Sequence, residues 1–335
     1  MEKSLIDVAV LLVFFNAPER TKKTFEQIRK ARPNRLYLYQ DGPRIGKNDE
    51  EGINECRIIV ENMIDWECEV HKFYQEKNFG CDPSEFLSQR WAFSHENKCI
   101  VLEDDDVVSV SFFRFCKELL DKYENDERIS MIAGMNHEEV TKDIPYDYFF
   151  TSNISIWGWA SWSRVVLQWE PDYAFLKDSP TMSLLKGYID DRGVRKDFLQ
   201  LAHKHCETGT QYYETILSAN MMLNSGLSIV PTKNMVNNIG FSGDSTHFTS
   251  SLKMMAKADR KIFEIRRFEV EFPLKHPKYV IENTGYRKRV YEIMAWNRPV
   301  DRLWRRIQAA VLKIRYLDFK GFTSSLYKNI TGGKL

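Results

Sequence analysis

The sequence lacks the long apolar runs that a membrane-spanning chain would need. No stretch of about 18 or more consecutive apolar residues occurs, so we expect no transmembrane helix. The apolar run Val8–Phe15 is too short to span a bilayer. It also lacks the basic flank and the small-residue cleavage site of a signal peptide, and we therefore predict that it is a buried strand.

Paired cysteines and glycine-rich phosphate loops are also missing. The six cysteines contain no CxxC pair and no metal-finger spacing. Several of them lie in apolar runs, as reduced core cysteines do, which favours a reducing, cytoplasmic location. Neither GxxxxGK[ST] nor GxGxxG is present, so the sequence indicates neither a P-loop nor a dinucleotide site.

Net charge is small, but it is unevenly distributed. The 335 residues carry +1, which argues against a uniformly basic nucleic-acid-binding protein, and we expect no nucleic-acid partner. Residues 297–335 hold nine basic and two acidic side chains, so this end carries +7 and the rest carries −6.

The basic end contains a stretch with the pattern of an amphipathic helix. Arg302–Leu317 places apolar residues at helical spacing, at Leu303, Ile307, Ala310, Val311, Ile314 and Leu317, with Trp304 beside them. Such a helix is typical of interfacial membrane binding. We expect either peripheral contact of residues 297–335 with the inner membrane face, or a helix packed on the domain with its charges solvated.

Short apolar runs alternate with helical patterns in the first half of the chain. Strands are predicted at Val8–Phe15, Arg35–Tyr39, Glu69–Tyr74, Lys98–Leu102 and Ile129–Ala133. The helices predicted between them are Thr21–Ala31, Gly52–Met63, Asp82–Ser94 and Phe112–Tyr123. This alternation predicts an α/β fold with a mostly parallel central sheet and helices on both faces.

Polar motifs follow the first four predicted strands. They are Asn16, Asp41-Gly42, Asn78–Gly80 and Glu103–Asp106. Because ligands of open α/β sheets bind outside the carboxyl ends of the strands, we expect these motifs to share one rim.

Glu103–Asp106 is a run of four acids directly after an apolar strand. Adjacent carboxylates raise one another's pKa unless a cation compensates them. Oxygen ligands at a strand end suit Mg²⁺ or Mn²⁺, which leaves coordination positions open for phosphate oxygens. The alternative is a solvated acidic turn, and the position of the run after a buried strand favours the metal site.

Val101–Asp105, followed by Phe112-Phe113, resembles the metal-binding acidic motif of GT-A glycosyltransferases. The bacterial family-2-like enzymes and the inverting N-acetylglucosaminyltransferase I group are the nearest parallels. Further segments resemble motifs of this family in the same order, at Phe15–Pro18, Gln40–Gly42, Asn78–Gly80, Ile156–Trp162, and Asn234–Gly240 with Thr246-His247. The resemblance spans about residues 7–250, and Ala17 departs from it because arginine is usual there.

The resemblance implies a nucleotide-diphospho-sugar transferase fold and an inverting, metal-dependent sugar transfer. The donor would be a nucleotide-diphosphate sugar, with UDP favoured, and the acceptor a glycan or lipid-linked glycan. Mn²⁺ or Mg²⁺ would be the cofactor. The catalytic domain would cover residues 1–280, with a nucleotide-sugar half at 1–106 and an acceptor half at 107–280. Residues 281–335 would form a basic helical extension.

The resemblance also assigns roles to residues. Asp105 would be the direct metal ligand, and His247 would reach the metal or the diphosphate. Glu214 would be the general base, although this chain has Tyr213-Glu214 where the family usually shows Trp-Asp; the alternative is a first-turn acid of a helix. The donor would contact Asn16, Pro18, Arg20, Asp41, Asn78, Gly80, Arg90, Glu103, Asp104, Trp157 and Gly158.

Two other function classes stay open. A nucleotidyltransferase that makes sugar nucleotides usually has a glycine-rich loop after its first strand, and Phe14–Pro18 contains no glycine. A non-catalytic nucleotide- or glycan-binding module would not need the acids at Glu103–Asp105 and Glu214. Both considerations favour the glycosyltransferase.

Overall fold

The computed structural model describes residues 1–240 and 252–316, and these form alternating strands and helices. The strands are β1 (Ile6–Phe14), β2 (Pro33–Gln40), β3 (Glu69–Tyr74), β4 (Lys98–Glu103), β5 (Asp106–Val108), β6 (Ile129–Ala133), β7 (Tyr148–Thr151), β8 (Trp159–Trp162), β9 (Leu227–Pro231) and β10 (Val236–Asn238). The helices are α1 (Pro18–Ala31), α2 (Glu50–Asn62), α3 (Cys81–His95), α4 (Val110–Lys122), α5 (Ser163–Val166), α6 (Ser179–Tyr188), α7 (Arg192–Thr208), α8 (Tyr213–Leu223), α9 (Lys257–Phe263), α10 (Thr284–Ile293) and α11 (Pro299–Arg315).

The main sheet has eight strands in the order β3-β2-β1-β4-β8-β6-β9-β7, and β5 pairs with β10 separately. Strands β1 to β4 are parallel, as the alternation predicts. The prediction of a mostly parallel sheet needs correction beyond β4, because β8 runs antiparallel to β4 and β6, and β7 runs antiparallel to β9. Strands β6, β7 and β8 follow one another without a long helix between them, and such a helix is the usual connection between parallel neighbours.

Both faces of the sheet are covered by helices, as predicted. Side chains of β1 alternate between the two sides, so that Leu12 and Phe14 join the core beneath α1, α2 and α4. Leu11 and Val13 join a second core beneath α3, α7 and α8. This double coverage explains why the central strands read as continuous apolar runs.

All four predicted helices begin one to three residues earlier than expected, and the starts of α1 and α3 have a clear physical reason. Helix α1 begins at Pro18, which occupies a first-turn position where its missing N–H costs nothing, rather than at Thr21. Thr21 and Thr24 are buried instead. Helix α3 begins at Cys81 after Gly80, whose positive φ of 88° suits glycine, rather than with Asp82 as its cap.

The described residues after position 280 form two helices of different character. Helix α10 packs Tyr286 and Val290 against Phe149 of β7 in a small core of its own. Helix α11 corresponds to the amphipathic helix predicted at Arg302–Leu317, of which Leu317 lies outside the described residues. None of the described helices is long and apolar enough to cross a membrane.

Leu12 tests the central position of β1 in the core. It is fully buried between β2 and β4. We expect Leu12→Ala to lower the free energy of unfolding by about 3 kcal/mol, because it removes apolar contacts and leaves a cavity. Denaturant unfolding measures the change. Leu184→Ala, at an exposed position of α6, is the control and should change stability by less than about 0.5 kcal/mol; equal losses in the two variants would contradict this account of the core.

Candidate functional site

A cavity of about 380 Å³ opens at the carboxyl ends of β1, β2 and β4, and we call it the acidic cavity. Of the predicted site residues, those that line it are Asn16, Arg20, Asp41, Asn78, Gly80, Glu103, Asp104, Asp105, Trp157 and Glu214. The parallel direction of the first four strands brings their polar ends to the same edge. The predicted rim is therefore present, and residues from distant parts of the chain complete it.

Asp41 fixes the loop that follows β3. Its buried carboxylate accepts hydrogen bonds from the backbone N–H groups of Gly42, Phe79 and Gly80 and from Asn78 Nδ2, at 2.8 to 3.1 Å. Burial raises the pKa of Asp41, and the backbone donors act against that rise. Asn78 Nδ2 also donates to the Gly42 carbonyl at 2.8 Å, so the ends of β2 and β3 are joined beside the cavity.

Asp49, at the start of α2, holds two cavity residues in place. Its carboxylate accepts a 2.6 Å hydrogen bond from Asn16 Nδ2. It also accepts bonds from the Arg44 guanidinium at 2.7 and 2.8 Å and from the Arg44 backbone N–H at 3.0 Å. Sequence reasoning missed both Arg44 and Asp49, because no motif marks them and their link depends on the turn between β2 and α2.

The four acids Glu103–Asp106, at the end of β4 and directly after it, have separate partners. Asp104 Oδ2 accepts from the Phe15 backbone N–H at 3.3 Å, and Arg20 Nε lies 3.9 Å from Asp104 Oδ1. Burial and the adjacent Asp105 carboxylate raise the pKa of Asp104 to about 7. Asp106 is fully buried and accepts from the Gly158 N–H at 2.8 Å, which gives it a structural role in joining β5 to β8.

Asp105 contacts Asn238 and Ile239, at the end of β10 and directly after it. Asn238 Nδ2 donates to Asp105 Oδ1 at 2.8 Å, and the Ile239 N–H donates to the Asp105 carbonyl at 2.9 Å. A Cβ atom at Gly240 would overlap the Asp105 carboxylate, so a larger residue here would require that carboxylate to move. The acidic run and the Asn237–Gly240 motif, more than 130 residues apart, therefore meet at the cavity.

Another buried acid, on α3, faces the acidic cavity. Glu85 lines the cavity, is 3% exposed, and accepts a 3.0 Å hydrogen bond from Gln89 Nε2. Burial raises the pKa of Glu85, and burial together with Glu85 raises that of Glu103. Tyr213 donates its hydroxyl to Glu103 Oε1 at 3.1 Å. Sequence reasoning missed Glu85, since its inward orientation depends on how α3 docks.

Glu214, Ile156 and Trp157 also border a second cavity of about 440 Å³, which we call the aromatic cavity. Glu214 is exposed and begins the first turn of α8. The aromatic side chains that line the second cavity are Trp157, Tyr188, Phe198, Tyr291 and Trp296. The wall formed by Ile156, Trp157 and Glu214 is thus common to both cavities.

Three predicted site residues lie outside the cavity lining, and the position of a fourth is not described. Pro18 and Gly158 are outside the cavity lining; Pro18 starts α1, and Gly158 has a φ of 56° with no room for a Cβ beside Val108. Arg90 is also outside the lining and donates to the Leu167 carbonyl at 3.3 Å. His247 falls outside the described residues.

The acidic cavity offers a hard divalent cation carboxylate oxygens, but it does not offer a complete set of protein ligands. Within residues 1–240 and 252–316, no three His, Cys, Asp or Glu side chains form a metal-binding group. Mg²⁺ is commonly held by one or two carboxylates and completes its shell with substrate phosphates and water. Glu103, Asp104 and Asp105 supply oxygen donors of this kind, and a cation would offset the mutual repulsion that burial strengthens.

Comparisons with known proteins find likeness in solved structures alone, since no family model and no curated protein matches the chain. Mouse xyloside xylosyltransferase 1 in its apo form is similar with a TM-score of 0.36 and 13% identity, over 67% of this chain and 85% of that chain. UDP-glucose pyrophosphorylase complexed with UDP-glucose is similar with a TM-score of 0.34 and 9% identity, over 69% of this chain and 93% of that chain. The glycosyltransferase GlyE from Streptococcus pneumoniae TIGR4 is similar with a TM-score of 0.33 and 12% identity, over 68% of this chain and 45% of that chain. At these scores we base function on the geometry of the cavities.

Asp49→Asn tests the contacts that hold Asn16 and Arg44. The variant removes the charge that accepts their hydrogen bonds, and we expect the free energy of unfolding to fall by about 2 kcal/mol at pH 7. The hydrogen bonds from Arg44 lower the pKa of Asp49 in the folded protein. The stabilisation is therefore complete above the ordinary carboxyl pKa of about 3.9 and disappears as pH falls through the lower, folded value.

Denaturant unfolding of both proteins between pH 7 and pH 2 checks this prediction. The stabilities of the wild type and Asp49→Asn should converge at the acid end. Glu50→Gln, at the exposed neighbouring position, is the control for a generic loss of charge. A difference between wild type and Asp49→Asn that stays constant across the pH range would contradict the role given to the Asp49 carboxylate.

Proposed function

We propose that the protein is a metal-dependent glycosyltransferase that moves a sugar from a nucleotide-diphosphate sugar to a hydroxyl group of a glycan or lipid-linked glycan. One observation carries the proposal: the exposed Glu214 carboxylate lies on the wall shared by the acidic and aromatic cavities. Transfer between two bound molecules needs a base where they meet, because the acceptor hydroxyl must lose its proton as it attacks. The motif resemblance to GT-A enzymes supports the same reaction.

The donor occupies the acidic cavity in this proposal. Asp41 positions Asn78–Gly80 at its edge, where the nucleotide binds, and the guanidinium groups of Arg20 and Arg44 are suited to phosphate oxygens. Asp105, with Asp104 and Glu103 beside it, would hold Mg²⁺ or Mn²⁺. Such a cation, when bound, neutralises the diphosphate charge and so improves the leaving group.

Glu214 accepts the proton of the acceptor hydroxyl during transfer. The hydroxyl oxygen forms a bond to the anomeric carbon of the sugar, and the bond from that carbon to the diphosphate breaks with its electron pair leaving on the nucleoside diphosphate. A single displacement of this kind inverts the anomeric configuration. UDP is the favoured nucleotide through the motif resemblance.

The acceptor occupies the aromatic cavity in the same proposal. Aromatic rings offer apolar surface that matches the C–H face of a sugar. Apart from Glu214, the charged side chains of the lining are paired with other charges: Asp197 with Arg302, and Arg287 with Asp190 and Glu282. Burial lowers the pKa of His137 to about 4, which keeps its imidazole neutral at pH 7. This lining favours an uncharged saccharide.

Asn153 contributes a polar side chain to the lining of the aromatic cavity. It is 7% exposed, and its Nδ2 finds no hydrogen-bond partner among the described residues. A buried amide without a partner is costly, and an acceptor oxygen would satisfy it on binding. We therefore assign Asn153 to recognition of the acceptor.

Glu214→Gln tests the general base. We expect sugar transfer to fall by about 10²- to 10⁴-fold, because the amide cannot accept the proton. Nucleotide-sugar binding, followed by thermal shift with Mn²⁺, should be kept. Glu207→Gln, an exposed acid on α7 outside both cavities, is the matched control.

Retained transfer by Glu214→Gln would remove this residue from the base role. Release of pyrophosphate from a nucleoside triphosphate and a sugar phosphate by the wild type would instead identify a nucleotidyltransferase. Nucleotide binding without any turnover of either kind would identify a binding module.

Asn153→Ala tests the acceptor site. With uncharged alkyl and aryl glycosides as acceptors, we expect the acceptor KM to rise roughly threefold to tenfold, the effect of one neutral hydrogen bond. The KM for the nucleotide sugar should stay unchanged, since Asn153 does not line the acidic cavity. Asn224→Ala, at an exposed position at the end of α8, is the control. An unchanged acceptor KM in Asn153→Ala would contradict the assignment.

A further inference from the structure

Helix α11 presents its apolar side to solvent. Leu303, Trp304 and Val311 are 59%, 58% and 57% exposed, and the stripe as a whole consists of Val300, Leu303, Trp304, Ile307, Val311 and Ile314. These positions recur every three or four residues and therefore lie along one face of the helix. We call this face the α11 stripe. A helix that only covers the domain would bury such a stripe.

The opposite side of α11 is attached to the rest of the protein by charged groups. Arg302 pairs with Asp197 of α7, and Arg305 pairs with Asp259 of α9 at 2.7 Å. Arg305 also donates to the Ile293 carbonyl, at the end of α10, at 2.9 Å. These contacts set the rotation of the helix about its axis, and with this rotation the stripe faces outward.

Basic residues border the α11 stripe on both sides. At 100° per residue, Arg306 falls on one flank and Arg315 on the other, and both are exposed. The only acid in α11 is Asp301, which lies 3.6 Å from Arg298. An apolar stripe between two basic edges has the chemistry of a helix that lies in the surface of an anionic membrane.

We propose that the α11 stripe binds an anionic lipid surface, with its apolar side chains at the level of the acyl chains and Arg306 and Arg315 at the headgroups. A second copy of the chain is a poorer match, because two such stripes placed face to face would bring their basic edges together. The binding is peripheral and does not depend on the transfer reaction.

Co-sedimentation of the full-length chain with lipid vesicles tests the proposal. We expect binding to phosphatidylcholine vesicles that contain phosphatidylglycerol, and much weaker binding to phosphatidylcholine alone. The double variant Ile307→Ser with Val311→Ser should weaken binding at least about tenfold. Arg306→Gln and Arg315→Gln should each cost about fivefold and make the remaining binding less sensitive to salt.

Ile281→Ser is the control, since Ile281 is an exposed apolar residue outside α11. All variants should keep the thermal midpoint of the wild type, because the substituted side chains are exposed.

Equal vesicle binding by the wild type and the double variant would overturn the proposal, and so would a wild type that does not bind. A wild-type dimer in light scattering that the double variant abolishes, without vesicle binding, would assign the stripe to a second copy instead. No outcome of the vesicle assay bears on the transfer reaction, because donor and acceptor are absent from it.

Discussion

The crowding of four consecutive carboxyl groups at the end of β4, with Asp106 buried and the other three half-buried, is the constraint on which the site depends. Carboxylates that are taken out of water next to one another are costly unless each has its own partners. The fold distributes them: Glu103 receives the Tyr213 hydroxyl, Asp104 the Phe15 N–H, Asp105 the Asn238 amide and Asp106 the Gly158 N–H. These partners come from the residue directly after β1 and from three later segments of the chain. The acidic run therefore organises the elements around it as well as lining the cavity.

The hydrogen bond from Tyr213 to Glu103 also helps to place the acidic and aromatic cavities side by side. Tyr213, which donates to Glu103, precedes Glu214, so docking of α8 against the end of β4 also sets Glu214 on the common wall. Asp197 connects the aromatic cavity to α11, because it lines the cavity and pairs with Arg302. A membrane-bound α11 would hold the aromatic cavity near the lipid surface, where a lipid-linked glycan is found. The two proposals are consistent in this respect, although each has its own test.

Much of the first half of the fold is predictable because its signals are local. The bounds predicted for β3 and β6 match the structure, since alternation and apolar runs are properties of a few consecutive residues. Helix starts were predicted less accurately: the predicted helices begin at Thr21 and Asp82, yet Pro18 and the positive φ of Gly80 decide where α1 and α3 begin. Glu85 was missed for a related reason, because an acid near a helix start that faces a cavity has the same sequence pattern as one that faces water.

The sequence by itself determined the parallel strands β1 to β4 and the polar rim at their ends, because strand period and chain direction require no knowledge of distant contacts. It also determined that residues 302–317 are amphipathic. Glu214 is more than 100 residues from the acidic run in the sequence. Only the tertiary structure decided that it lies on the same cavity. The orientation of α11 was likewise decided by tertiary contacts. Its periodicity is compatible with either face inward, and the ion pairs of Arg302 and Arg305 with distant acids select the one that leaves the apolar stripe exposed.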